Sequence, residues 1–336
     1  MADPPNADQR RDAIAMSGHH PLPPVVVIAG PTAVGKTRLA IDLSRRFGGE
    51  VVNADSRYLY RGFSIGLAKP TLDERGDVAH HLIDILDPWE EMSLALFQQR
   101  ALVAIGSVHS RGLIPFFTGG TPLYVNAVVE GWTIPEVPPN PQFREKMAAE
   151  IDSLGIEPAA ARLAAVDPVA AGRSARNPRR IIRALEIYEA TGTPMTALEG
   201  KRPQPFRFLQ IGLTMPRERL FAVIDARVDD QIAGGLIEEA RALLDAGVDP
   251  ASPAFSSIGY RQLVPYFAGE TTLESAIERI KFDTHRYVRH QETWLRRNRA
   301  LLRVDVTIPG WEDAAAEMVE QFLSGVTIEN AGHDRT

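Results

Sequence analysis

The 336-residue chain has no cysteine, which excludes a disulfide scaffold and any cysteine-ligated zinc site and fits a reducing, cytoplasmic setting. No apolar run approaches the ~18 residues that a membrane span needs, so no membrane partner is expected. The first twenty residues, MADPPNADQRRDAIAMSGHH, lack the apolar stretch of a secretory signal. They are polar and rich in proline and aspartate, and residues 1–22 are expected to form a disordered tail. Internal repeats and low-complexity tracts are also missing. So is an overall positive charge: the formal net charge is −6, which argues on average against a polyanionic partner.

What is present is a globular composition, 44% hydrophobic and 24% charged, with charge unevenly spread. Residues 281–303 carry seven cations (Lys281, Arg286, Arg289, Arg296, Arg297, Arg299, Arg303) against two anions, Asp283 and Glu292. Arg173, Arg176, Arg179, Arg180 and Arg183 form a second cluster. An acidic protein with two basic stripes can hold RNA on one face.

The hydrophobic pattern alternates between strand and helix. Val25-Val26-Val27-Ile28-Ala29 is a β-branched apolar run that ends in a glycine-rich turn, as a buried parallel strand does. Residues 36–47 follow with helical spacing of Leu39, Ala40, Leu43 and Phe47. Strands are predicted over 50–55, 112–118 and 208–213, and a helix over 93–109. The fold class is therefore α/β, a P-loop NTPase-like parallel sheet with helices on both faces, plus an inserted all-helical domain. The core domain is expected over 23–134 and 205–308. The insertion spans 135–204, and a C-terminal helix (312–323) and tail occupy 309–336. Residues 131–141, GWTIPEVPPNP, contain four prolines and are expected to be irregular; 142–200 reads as helical with breaks near Asp167-Pro168 and Asn177-Pro178; 216–303 reads as helical.

Gly30-Pro31-Thr32-Ala33-Val34-Gly35-Lys36-Thr37 matches G-x-x-x-x-G-K-[ST] in full, between a predicted strand and a predicted helix. Its glycines let backbone N–H groups wrap phosphate oxygens, and the helix N-terminus adds about half a positive charge. Lys36 adds a full charge, and the Thr37 hydroxyl is placed to coordinate Mg²⁺. The loop specifies a diphosphate or a triphosphate, and nucleotide (ATP) binding is compatible with it. The strand that ends at Thr118-Gly119-Gly120-Thr121 lacks the acid that nucleotide hydrolases place there; Asp55 instead ends the second strand. Because ligands sit beyond the carboxyl ends of parallel strands, Lys36, Asp55 and Thr121 should converge on one crevice. Asp55 there suits either a base toward an acceptor or a cap for the segment after it.

Together the motifs GPTAVGKT (30–37), ADSRYLYRGFSIGLAKP (54–70), HHLIDILDP (80–88), GGTPLY (119–124), RRIIRALEIYEATG (179–192), IGYRQL (258–263) and THRYVRHQETWLRR (284–297) resemble the tRNA dimethylallyltransferase family over roughly residues 25–303. The resemblance implies transfer of a dimethylallyl group from dimethylallyl diphosphate, held with Mg²⁺ in the 30–37 loop, to the exocyclic amine of an adenosine. That adenosine lies next to the anticodon, at position 37, in tRNAs reading U-starting codons. By the same likeness Asp55 is the general base, Thr121 a tRNA-contacting residue near the reacting centre, and Arg144 a stabiliser of the departing diphosphate. Ser56, Arg57 and Tyr58 would join the tRNA contacts, as would the turn Gly259-Tyr260-Arg261. A cytoplasmic monomer is expected.

The basic helices fit this scheme. Asn177 suits a cap and Pro178 a first turn, which sets Arg179 and Arg183 four apart with Arg180 alongside. Further on, Arg286, Arg289, Thr293 and Arg296 share one helical face, while Tyr287, Val288, Gln291, Trp294 and Leu295 line another. Any one of these arginines also suits a merely solvated surface. The sequence departs from the family pattern at His285 and His290, where basic residues are common, at Leu67 for a usual threonine, and at Pro178 for a frequent acid. Two other readings share the fold: a P-loop small-molecule kinase, and an adenylate isopentenyltransferase acting on free nucleotides.

Overall fold

The fold comes from a computed structural model, which describes residues 22–174 and 176–326. The expected N-terminal tail before Leu22 and the expected C-terminal tail beyond 326 lie outside the described residues. The chain divides into two compact units, one made of 1–125 with 205–336 and the other of 126–204.

In the first unit, strand β1 (Pro24–Ala29) leads through the glycine-rich loop into helix α1 (Lys36–Phe47), then β2 (Gly49–Asn53), the short α2 (Leu72–Arg75) and β3 (His80–His81). Helix α3 (Leu94–Ser110), β4 (Ile114–Thr118) and α4 (Pro122–Val129) follow, and the boundary between the units falls within α4. The second unit holds β5 (Trp132–Thr133), α5 (Pro141–Leu154), α6 (Glu157–Val166), α7 (Pro168–Ser174), α8 (Pro178–Thr191), α9 (Met195–Leu198) and β6 (Gly200–Lys201). The first unit resumes with β7 (Arg207–Thr214), α10 (Arg217–Ala233), α11 (Leu236–Asp245), α12 (Leu263–Phe267), α13 (Leu273–Arg297), β8 (Leu302–Asp305) and α14 (Trp311–Leu323).

The six-stranded sheet runs β3-β2-β4-β1-β7-β8, and every pairing in it is parallel. Every residue of β4 is buried, as are all of β1 but its first. Such strands need cover on both faces, which their unbroken apolar runs anticipate. The chain leaves β1 toward β2 on one side and returns on the other at β7, so the end of β1 is the switch point where a crevice opens.

Two expectations are corrected. The proline-rich stretch 131–141 is not wholly irregular: Trp132 and Thr133 pair antiparallel with Lys201 and Gly200, since its first proline comes only at 135. Residues 216–303 are not helical throughout either. Residues 248–262 form turns, and Leu302–Asp305 add a parallel edge strand on β7. A four-residue run carries little periodicity; the unpaired edge of β7 decides its conformation.

The helical unit packs around Met147, Leu163, Ile181 and Leu185. Asn140 and Asn177 cap α5 and α8 by accepting from Phe143 N and Arg180 N, each with proline at the first helical turn. Glu186, only 2% exposed, accepts from Asn140 N (2.7 Å), Arg144 Nε (2.8 Å) and Arg183 Nη1 (2.6 Å). Burial alone would raise its pKa, but the hydrogen bonds from Arg144, Asn140 and Arg183 outweigh it and hold the carboxyl below its ordinary value. A depressed carboxyl pKa contributes stability above the ordinary range and loses it as acid protonates the group. Glu186→Ala is expected to destabilise this unit by about 2–3 kcal/mol, discounted because both arginines are partly exposed. Thermal melts at neutral pH check this, and the difference from wild type should shrink as the pH falls below the carboxylate range.

Candidate active site

The phosphate loop leaves β1 and enters α1 through Gly35, whose φ of 97° is the left-handed conformation that glycine adopts without strain. This turn lets residues 30–35 curl over the start of α1. Lys36 folds back to donate to Pro31 O at 2.7 Å. Burial pushes the pKa of its ammonium down to about 8; Asp55 opposes the shift and Arg227 adds to it. A lysine so placed suits an anionic ligand.

Asp55 follows β2 and is held from several directions. Asn53 Oδ1 accepts from Asp55 N at 2.8 Å, while Asn53 Nδ2 donates to Asp55 O at 2.9 Å and to Leu82 O at 2.8 Å. Asp55 Oδ1 accepts from Arg57 N at 2.9 Å. Its other oxygen, Oδ2, faces the turn after β4: a methyl group added at Gly120 would fall 2.9 Å from it and 4.0 Å from Lys36 Nζ. A methyl at Gly119 would lie 2.1 Å from the Ala54 carbonyl carbon, so only glycine allows the two strand ends to approach. Thr121 completes the join. Its N donates to Ala54 O, and its hydroxyl accepts from Ser56 N at 2.9 Å and lies 3.2 Å from Ser56 Oγ.

Two cavities meet at this carboxylate. One, of about 520 Å³, is walled by Gly35, Lys36, Thr37, Asp55, Gly120 and Arg227. The other, of about 410 Å³, is walled by Asp55, Thr121, Arg261, Arg286, Tyr287 and His290. Asp55, Tyr58, Leu67 and Arg227 line both. Lys36, Asp55 and Thr121 therefore come together as their positions at strand ends required.

The other expected site residues divide. The Tyr58 hydroxyl donates to Ala68 O at 2.9 Å and touches Thr37 and Arg227; burial raises its pKa. The Arg57 guanidinium donates to Pro253 O (2.6 Å) and Ser256 Oγ (3.1 Å). Arg261 pairs with Asp283 at 3.1 Å at the wall of the second cavity. Tyr260 is wholly buried: its hydroxyl accepts from Gly66 N at 3.1 Å and donates to Glu239, so it supports the turn from beneath and has no surface for RNA. Gly259 adopts φ 103°, and its N donates to Gln262 Oε1 at 3.0 Å. Arg286 and Arg289 are exposed on α13, with Arg286 at the cavity wall, whereas His285 stacks on Phe221 at 4.0 Å. Arg179 and Arg180 are exposed on the helical unit; Arg183 and Arg144 are engaged by Glu186 there.

Sequence reasoning missed Arg227 as a site residue. It lies beside the buried stripe Leu220, Ile224 and Val228 of α10, as does Gln231, which donates to Ile65 O and Gly66 O. Polar residues interrupting a helix's apolar face were the available signal. Magnesium fits the first cavity in a limited way. Among the described residues no cluster of three acidic or histidine side chains is present, but Mg²⁺ is commonly held by phosphates, waters and one or two protein oxygens, and Thr37 can supply one.

Residues 58–298 match the family model described as IPP transferase. A tRNA dimethylallyltransferase from Thermomicrobium roseum is 55% identical over 301 residues, covering 89% of this chain and 92% of the relative. The full-length tRNA isopentenylpyrophosphate transferase structure from Bacillus halodurans superposes with a TM-score of 0.66 at 39% identity, covering 90% of this chain and 95% of that one. A eukaryotic dimethylallyltransferase whose crystallographic snapshots show it acting on tRNA has a TM-score of 0.75 at 26% identity, with 92% and 81% covered.

Proposed function

We infer the reaction from one premise: the chain belongs to the tRNA dimethylallyltransferase family. It is a transferase that modifies an adenosine of tRNA with a dimethylallyl group. Dimethylallyl diphosphate is the donor, and its diphosphate occupies the cavity at Lys36 and Thr37. The acceptor adenine enters the cavity walled by Arg286 and His290. The observation that carries this assignment is Asp55, which faces both spaces.

The chemistry follows from the arrangement. The exocyclic nitrogen of adenine bonds to the allylic carbon, the carbon–oxygen bond to diphosphate breaks, and the proton lost by nitrogen passes to Asp55. A neutral aromatic amine is a poor nucleophile, and a positioned carboxylate contributes ~10²- to 10⁴-fold. Negative charge grows on the leaving oxygen, where Lys36, Arg227 and the loop amides meet it at the cavity wall. Magnesium, when bound with the diphosphate, would neutralise part of that charge, with the Thr37 hydroxyl as its protein ligand. Adenine must leave its stack to reach Asp55, at a cost of a few kcal/mol that a loop reduces.

Among the described residues no helix is long and apolar enough to cross a membrane. A tRNA acceptor favours a cytoplasmic setting. The deciding experiment supplies dimethylallyl diphosphate with unmodified tRNA, with AMP, or with ATP and candidate small acceptors. Prenylated adenosine in digested tRNA, with one diphosphate released per transfer, is expected. Prenylation of AMP alone would identify a free-nucleotide transferase, and ADP release alone a kinase.

A further inference from the structure

Helix α13 presents arginines to solvent and, on its opposite side, buries one amide. Gln291 is 2% exposed and lies on the packing stripe that includes Ile280, Val288 and Leu295. Both ends of its side chain are used. Oε1 accepts from Thr32 N at 2.9 Å, and Nε2 donates to Gly120 O at 2.8 Å. The orientation is dictated by its partners: turned the other way, the NH₂ would meet an N–H and the oxygen a carbonyl. Tyr287, one turn earlier, donates to the same Gly120 oxygen at 3.0 Å.

Those two partners belong to the two halves of the reaction. Thr32 is in the phosphate loop. Gly120 precedes Thr121, whose hydroxyl holds Ser56 N next to Asp55. Gln291 Nε2 and Asp55 Oδ2 flank Gly120 at 3.0 and 2.9 Å from the place a β-carbon would occupy. Hydrogen bonds and the Gly120–Thr121 peptide link thus connect leaving-group loop, helix and the backbone beside Asp55, yet nothing in the proton transfer or the diphosphate contacts calls on Gln291 itself.

We propose that Gln291, seconded by Tyr287, is a positioning residue that fixes the separation between the phosphate loop and the Asp55 carboxylate. The proposal rests on the transferase reading, in which that separation sets how the allylic carbon stands between diphosphate and base. Because α13 also carries Arg286 and His290 into the acceptor cavity, a single rigid helix is the reference for donor, base and acceptor. Small displacements matter here, since a misplacement of about 1 Å costs roughly 10²-fold in rate.

The test compares wild type with Gln291→Met, which keeps the volume and removes both bonds, and Gln291→Glu, which can accept from Thr32 but cannot donate to Gly120. Single-turnover transfer at saturating donor and tRNA, affinity for inorganic pyrophosphate, and NMR exchange of the Thr32 amide are measured on folded protein. Gln291→Met is expected to transfer about 10²-fold more slowly. Its pyrophosphate affinity should stay within about threefold of wild type, because the Thr32 amide is already engaged, and that amide should exchange faster. Gln291→Glu should restore Thr32 protection while transfer stays slow, a split that a purely structural role would not produce. A Gln291→Met protein that transfers at the wild-type rate per folded molecule, or whose Thr32 amide exchanges as in wild type, overturns the proposal. Should Gln291→Met fail to fold, Tyr287→Phe decides, since it removes only one hydroxyl from a residue 37% exposed. A loss of about fivefold or more at unchanged melting temperature supports the brace, and a wild-type rate overturns it. If wild type itself transfers nothing, the functional reading fails, and Thr32 exchange still decides the brace.

Discussion

Replacing Asp55 with alanine is expected to slow transfer by ~10²- to 10⁴-fold, the range a positioned general base contributes, while tRNA affinity changes little. Affinity should survive because the candidate tRNA contacts are spread over several exposed arginines, Arg286 and Arg289 among them, and no single carboxylate contributes attraction to phosphates. The local structure should survive as well. Asn53 holds the backbone of residue 55 through Asp55 N and O, and Thr121 holds Ser56 N; none of these bonds uses the Asp55 side chain. Only the Arg57 N contact to Oδ1 is lost. Single-turnover transfer and filter binding of the same tRNA separate the two effects. Turnover near wild type would remove Asp55 from the role of base, whatever its position.

The second large effect concerns Lys36. Lys36→Met should lower kcat/KM for dimethylallyl diphosphate by about 10²- to 10³-fold, comparable with removing one preorganised donor to a developing negative charge. Its pKa gives a further signature. Burial has lowered it to about 8, well below the ordinary lysine range, so the free enzyme loses this charge on the mildly alkaline side. Raising the pH through 8 therefore removes the cation that receives the diphosphate, and kcat/KM should fall on the alkaline side. A bound diphosphate favours the protonated form and raises this pKa, so kcat at saturating donor should hold to higher pH. The alkaline limb near pH 8 should vanish in Lys36→Met. A wild-type kcat/KM that stays flat from pH 7 to 9 would contradict this account of the lysine.

Both effects trace to residues that are legible in the sequence alone. The phosphate loop is a local device: a buried strand, a glycine able to take φ 97° and a helix start all lie within a dozen residues, so pattern alone places Lys36 and Thr37. Asp55 and Thr121 were placed by a topological rule, since strand ends in a parallel sheet share one edge.

The residues that escaped were those whose role depends on what lies opposite. Arg227 sits on a helix with no motif, and becomes a site residue only because α10 lies beside the phosphate loop. Tyr260 reads like a contact in a turn but is wholly buried, because Gly66 and Glu239 meet its hydroxyl. Arg144, which the family resemblance puts at the departing diphosphate, donates two hydrogen bonds to Glu186, a partner a long way along the chain that no local pattern announces.

By itself, then, the sequence determined the parallel α/β class, the phosphate loop and the placing of a lysine and a carboxylate at strand ends along one edge of the sheet, because each is encoded in short-range periodicity and turn chemistry. Only the tertiary structure decided which polar side chains of the long helices face inward, where the edge strand Leu302–Asp305 pairs, and that Asp55 stands between two cavities. Those outcomes depend on contacts between segments distant in the chain, and no local pattern records which surface a helix will meet.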